Sequence, residues 1–111
     1  MRHYKAIFET RSRETLLIIE QDRSCMGKDF MDGCVRWMYY LAEDYPEAML
    51  GGGICAHVSV DGLEFATLYS SLYYGVLTII LAGSETQRPC CIRCSELDPD
   101  PSWTREDVED R

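Results

Sequence analysis

Apolar and polar residues alternate along HYKAIFET, residues 3–10, with Tyr4, Ala6 and Phe8 pointing one way and Lys5, Ile7 and Glu9 the other. A period of two predicts a β-strand with one buried face. The polar run RSRE is followed by TLLIIEQ (15–21), in which Leu16, Leu17, Ile18 and Ile19 are apolar on both faces. That pattern predicts a second strand, covered on both sides. The two form a hairpin, although the turn lacks the Asn-Gly or Asp-Gly signal.

The period then changes. In KDFMDGCVRWMYYLAEDYPE (28–47), Phe30, Cys34, Trp37, Met38, Leu41 and Tyr45 recur every three or four residues. This is one apolar stripe of an amphipathic helix, with Asp29, Asp32, Arg36, Glu43 and Glu47 largely opposite. Asp29 and Asp32 suit a helix N-terminus, where the backbone dipole favours negative charge. Pro46 limits the far end, because the residue before a proline avoids helical geometry. After the break Gly51-Gly52-Gly53, ICAHVSV (54–60) reads as a short strand, with Ile54, Ala56, Val58 and Val60 on one face and Cys55, His57 and Ser59 on the other.

Asp61-Gly62 admits two continuations. It is either a hairpin turn into a strand LEFATLYSS, or the start of a helix capped by Asp61, with Glu64 reaching back. The spacing of Phe65, Leu68, Tyr69, Leu72 and Val76 favours the helix, with Gly75 as its stop. VLTIILAG (76–83) is then a buried strand rich in β-branched residues. Beyond Cys94 the run SELDPDPSWTREDVEDR holds two prolines and seven acids, and Ser102 suits the cap of a single helical turn. The expectation is a small α+β domain over residues 1–95: an antiparallel or mixed sheet of about four strands, packed by one or two helices. Residues 96–111 form an acidic, proline-containing tail.

Composition narrows the functions. A chain of 111 residues makes one domain, and 46% apolar with 27% charged residues is globular rather than disordered. The net charge of −8 repels nucleic acid and anionic lipid and attracts a basic surface. Residues 1–28 carry six basic and four acidic side chains, whereas residues 29–64 carry seven acids and only Arg36. Residues 65–111 carry eight acids against four arginines, so the acidity belongs to the middle and end of the chain. The opening MRHYKAIFETR has no apolar core of a secretory signal. A cytoplasmic location is therefore expected, with the six cysteines as reduced thiols. Cys25, Cys34 and Cys55 are read as small packed hydrophobes. The uncharged run from Phe65 to Gly83 has about the length of a membrane span. Its tyrosines, serines and threonines, and the lack of a basic flank, make it two buried elements instead.

RPCCIRC (88–94) raises the question of chemistry, because Cys91-x-x-Cys94 has the spacing of zinc sites and redox motifs. A structural zinc site needs two further ligands, and Cys55 with His57, on one face of a strand, is the second pair. ICAH followed some thirty residues later by RPCCIRC resembles, over roughly residues 53–95, the C-A-E and P-C-x-x-C layout of cytidine-type nucleoside deaminases. That resemblance implies Cys55, Cys91 and Cys94 as zinc ligands. His57 stands where that family has its proton-shuttling glutamate, and the proline is one position out of register with the CxxC. A redox role would need a thiol with lowered pKa at a helix N-terminus; Arg88 and Arg93 supply charge, but Pro99 and Pro101 leave little room for the helix. GGG lacks the residues of a phosphate loop. Glu43-Asp44 sit where solvent keeps carboxylates ionised, which disfavours acid–base work.

Surface remains. The expected partner-binding residues are Asp32, Glu43, Asp44 and Glu47 on the helix, with Asp98, Asp100, Glu106, Asp107, Glu109 and Asp110 in the tail. Trp103 is the aromatic anchor among them. The favoured reading is a non-enzymatic protein-binding module that occupies a basic, nucleic-acid-binding surface of a partner protein. It has no catalytic residues, cofactor or metal, and makes no direct contact with nucleic acid or membrane. In size, acidity and lack of a catalytic motif the chain is similar to the small anti-CRISPR-like inhibitors that phages and mobile elements use against host defence, some of which imitate nucleic acid. The alternative is a zinc or nucleotide site built from Cys55, His57, Cys91 and Cys94. The tyrosine-rich stretch suits a homodimer seam as well as a core.

Overall fold

The computed structural model describes residues 1–24, 27–73, 75–83 and 89–93. β1 (Arg2–Thr10) and β2 (Thr15–Arg23) form the expected hairpin. The chain then makes α1 (Gly27–Asp44) and the short α2 (Pro46–Leu50). It returns as β3 (Ile54–Val60), β4 (Leu63–Tyr73), β5 (Val76–Gly83) and β6 (Pro89–Arg93). The pairings are all antiparallel, in the order β2-β1-β3-β4-β5-β6. Strands β1–β5 thus make a five-strand antiparallel sheet, and β6 adds a sixth at the β5 edge. The fold class is α+β, with more strands than the sequence pattern predicts.

One face of the sheet is covered by the helices. Tyr4, Ala6 and Phe8 of β1 meet Ile54, Ala56 and Val58 of β3, with Leu68 and Ile79 beyond, and the α1 stripe of Phe30, Cys34, Trp37, Met38 and Leu41 closes over them. Tyr4 stacks on Phe30 with ring centroids 4.6 Å apart. Burial in this layer is the main stabilising term, because each large side chain removed from water contributes about 1.5–3 kcal/mol. Among the described residues the other face has no helix on it, an arrangement antiparallel sheets tolerate. Neither helix is long and apolar enough to cross a membrane among the described residues, and the uncharged run from Phe65 falls in β4 and β5.

Three expectations are corrected. The segment after Asp61-Gly62 is β4, not a helix. Asp61 and Gly62 both have positive φ, 52° and 82°, the geometry of a tight hairpin turn. The helical spacing has a local cause: the register slips between Val58 and Ser59, so Phe65 is an extra residue that shifts the alternation by one. Ala66, Leu68 and Ser70 face the core, Tyr69 is 48% exposed on the other face, and Leu63, beside the turn, is 75% exposed. Second, β2 is an edge strand and is not covered on both sides, with Ile18 52% exposed. Third, the expected sheet of about four strands gains β6, because Pro89–Arg93 pairs with β5, and a proline is tolerated at the first residue of an edge strand. As the proline implied, α1 stops at Asp44; Tyr45 leaves helical geometry at φ −127° and ψ 67°, and Pro46 opens α2. The tail from Ser95 onward lies outside the described residues.

Two local devices fix the ends of the sheet. Gly53, at φ 106°, donates its N–H to Ala48 O at 2.9 Å, and a Cβ placed there would sit 1.9 Å from the Ser70 carbonyl oxygen. At the opposite end His3 bridges β2 and the β3–β4 turn. Its Nδ1 lies 2.7 Å from Asp22 and its Nε2 2.8 Å from Glu20, while its backbone N–H donates to Asp61 Oδ1 at 2.8 Å. The hydrogen bonds to Asp22 and then Glu20 raise the imidazole pKa above its ordinary 6.5.

Gly53→Ala combines a forbidden backbone region with a clash against backbone, so it is expected to destabilise by about 3 kcal/mol or more, read as a lowered urea midpoint. His3 gives a pH signature. A group whose pKa is higher when folded contributes fully below its unfolded value of 6.5 and loses that contribution as pH rises through the folded value. Melting temperature should therefore fall from pH 6 to pH 8.5, and His3→Gln should flatten that slope.

Candidate functional site

The sequence-predicted residues divide between two sides of the molecule. Asp32, Glu43, Asp44 and Glu47 are all exposed on the outer side of α1 and α2, away from the sheet. Asp29 extends the same stripe by one turn, and Tyr39, 41% exposed, stands among the acids with its ring 6.1 Å from that of Tyr40. Residues 29, 32, 36 and 43 of α1 share this side because the helix buries Phe30, Cys34, Trp37, Met38 and Leu41. The acids at the end of α1 are electrostatically misplaced. Glu43 and Asp44 occupy its last turn, which holds no basic residue, where the negative end of the helix dipole disfavours carboxylates. Asp98, Asp100, Trp103, Glu106, Asp107, Glu109 and Asp110 lie outside the described residues.

Cys55 and His57 stand on the open face of the sheet. The β1–β3 register sets Glu9 opposite Cys55 and Ile7 opposite His57. His57 Nε2 is 3.0 Å from Glu9 Oε1 and 3.5 Å from Cys55 Sγ. One nitrogen therefore faces both partners. An activated thiol uses the two ring nitrogens separately, one toward sulfur and one toward the carboxylate. Here a proton on Nε2 that donates to Glu9 leaves no lone pair for the thiol. Burial, and then the Glu9 carboxylate, raise the Cys55 pKa above its usual value, so the neutral thiol predominates near neutral pH. Cys34 is likewise pushed up, by burial in the core. Both are unpaired cysteines.

The cysteine pairs of the zinc reading do not converge. Cys55 pairs with Tyr69, Tyr69 with Ile80, and Ile80 with Cys91, so Cys91 sits three strands from Cys55 in one row. Three spacings are about 14 Å, whereas two thiolates on one zinc are only about 4 Å apart. Cys94 lies outside the described residues, among which no group of three or more His, Cys, Asp and Glu is gathered for a metal.

The open face also carries a groove of about 760 Å³ that the sequence pattern did not reveal. It lies between the β1–β2 turn, the glycine link into β3 and the middle of β4, with Glu9, Arg11, Arg13, His57 and Tyr69 on its walls. The aliphatic stem of Arg11 rests over Gly52, whose missing Cβ would lie 3.1 Å from Arg11 Cδ. Glu9 is visible in the sequence as one of the outward residues of HYKAIFET. Its meeting with His57 is not, because the two are 48 residues apart.

No family model matches the chain, and neither a curated protein nor a solved structure matches it.

Glu9→Gln removes the charge that, after burial, holds the Cys55 thiol up. Alkylation of Cys55 near pH 8, followed by peptide mass mapping, should become faster in that variant. An unchanged or slower rate would mean that Glu9 does not act on the thiol.

Proposed function

We propose that the protein is a non-enzymatic, acidic binding module that occupies a basic surface of a partner protein, one that ordinarily contacts nucleic acid, in the manner of small phage or mobile-element anti-defence inhibitors. What supports the reading best is the exposed carboxylate stripe on α1 and α2, and above all Glu43 and Asp44 at the C-terminal end of α1. A face that served only solubility gains nothing from acids at that end of the dipole, which weaken the helix by about 0.3–1 kcal/mol each when exposed. Carboxylates kept where they oppose stability are accounted for by a cationic partner. Tyr39 within the stripe supplies an amphipathic ring of the kind that anchors interfaces. The acidic tail extends the same charge. The long-range field of a −8 chain speeds encounter with such a partner and repels duplex or single-stranded nucleic acid.

The test begins with co-purification from the native cell, followed by titration of the captured protein. Affinity should fall roughly tenfold or more between about 50 and 300 mM salt, and the partner's own nucleic acid should compete. Glu43→Gln with Asp44→Asn and Glu47→Gln, or deletion of residues 96–111, should each weaken capture while the domain stays folded. Glu43→Gln alone should leave the melting temperature unchanged or higher. An interaction indifferent to both changes and to salt would remove the proposal.

A further inference from the structure

The groove on the open face has the opposite electrostatic character to the rest of the chain. Arg11 and Arg13 hold two guanidiniums at its mouth, and neither makes a side-chain hydrogen bond or ion pair among the described residues. In a chain with 19 acids against 11 bases, two neighbouring arginines with no carboxylate partner among the described residues are unexpected. Glu9, the carboxylate on the groove's described wall, is already engaged by His57 at 3.0 Å. The turn that carries the arginines is rigidly built: Thr10 N–H donates to Glu14 O and Arg13 N–H to Thr10 O, both at 2.9 Å, and Arg13 takes a positive φ of 68°. Gly52, lacking a Cβ, leaves room for the aliphatic stem of Arg11 to lie over it beside the groove.

The rest of the wall is suited to a ring. Tyr69 is 48% exposed on the open face, and its neighbour in the row is Ile80 on β5. Glu9, Cys55 and Tyr69 form a row across β1, β3 and β4, so the ring stands two strand spacings, about 10 Å, from the β1 end that leads to the arginines. A molecule with an anionic group bonded to an aromatic ring spans that interval once the arginine side chains reach inward. A volume of about 760 Å³ accommodates it, within the usual range for small-ligand pockets.

We propose that this groove binds a small organic anion bearing an aromatic ring, with its phosphate or carboxylate on Arg11 and Arg13 and its ring on Tyr69 and Ile80. The guanidinium pair supplies forked, charge-assisted donors that fit either anion. The site lies on the face of the sheet opposite α1, so it goes beyond the acidic binding surface and stands or falls separately from it.

Phenyl phosphate is the probe, with inorganic phosphate and phenol as its two halves, and amide shifts of the full chain as the readout. Saturable shifts are expected at residues 9–13, 52–55 and 69–71. Either half alone should bind roughly tenfold or more weakly than the whole. Arg11→Ala with Arg13→Ala should cost about tenfold or more in affinity, and both side chains are exposed, so the fold is retained. Tyr69→Ser should weaken phenyl phosphate and leave inorganic phosphate unchanged. Phenyl carboxylates that bind as well as the phosphate would assign the site to aromatic anions in general. Shifts that never saturate, that spread over the surface, or that survive loss of both arginines would overturn the site. Equal binding of inorganic phosphate would overturn the role of the ring. Neither the Glu43 nor the tail variants should alter any of these readouts.

Discussion

Everything in the molecule is referred to the pairing of β1 with β3. β1 lies inside the sheet, with β2 on one side and β3 on the other, and its contact with β3 joins Thr10 to Ile54 across the whole helical segment. Loop closure over that length costs only slightly more than over half of it, but no local turn enforces the contact. The helix does so. α1 spans the intervening chain and can bury Phe30, Trp37 and Met38 only if Tyr4, Ala6 and Phe8 are brought beside Ile54, Ala56 and Val58. A slip of one residue would turn all three β1 side chains to the open face. The register that buries them also sets Glu9 opposite Cys55 and brings it within reach of His57. Core and groove are two consequences of one alignment.

Both faces so defined carry acids, and the open face mixes them with bases: Lys5, Arg11 and Arg13 beside Glu9 and Glu20. The outer side of the helices bears Asp29, Asp32, Glu43, Asp44 and Glu47, while the open face presents Arg11 and Arg13 beside a groove. A helix layer and a sheet separate them, more than the Debye length of about 8 Å at physiological salt. Each surface is therefore sensed locally by whatever touches it. At longer range only the net −8 is felt, and that favours cationic approach from any direction. A small anion reaching Arg11 and Arg13 must approach against this field, which lowers the rate of its capture more than the strength of its final contacts.

Much of this frame was legible in the sequence. The period of two in HYKAIFET and ICAHVSV located β1 and β3 and named their buried residues correctly, and the α1 stripe did the same for the helix. The reading failed where a tertiary event altered the local pattern. The bulge at Phe65 shifts the phase of β4 and imitates helical spacing, so the Asp61-Gly62 turn was the better guide. The apolar run of β2 suggested burial on both sides, but Ile18 stands on the open face of an edge strand. The acidic residues of α1 were placed correctly by the same stripe that located its core. The groove was not legible at all. It depends on which strands become neighbours, and nothing in Glu9, Arg11 or Tyr69 taken singly announces that they line one cavity.

Two departures from what stability alone would select now stand on opposite sides of the protein. At the end of α1, carboxylates oppose the helix dipole where a lysine would have supported it. At the β1–β2 turn, Arg11 and Arg13 are exposed cations with no carboxylate paired to either among the described residues. The first costs only a fraction of the total stability, and the deep core of Tyr4, Phe8, Met38 and Leu68 tolerates it. Local conflict on an otherwise consistent frame is where function is expected to lie. The Cys55–His57–Glu9 cluster, chemically the most suggestive feature, shows no such conflict: its nitrogen is shared, its thiol is held neutral and its carboxylate is satisfied. The physical signs of use thus fall on charged surface groups, the carboxylates of α1 and the guanidiniums of the β1–β2 turn, and the cysteine is left as part of the wall.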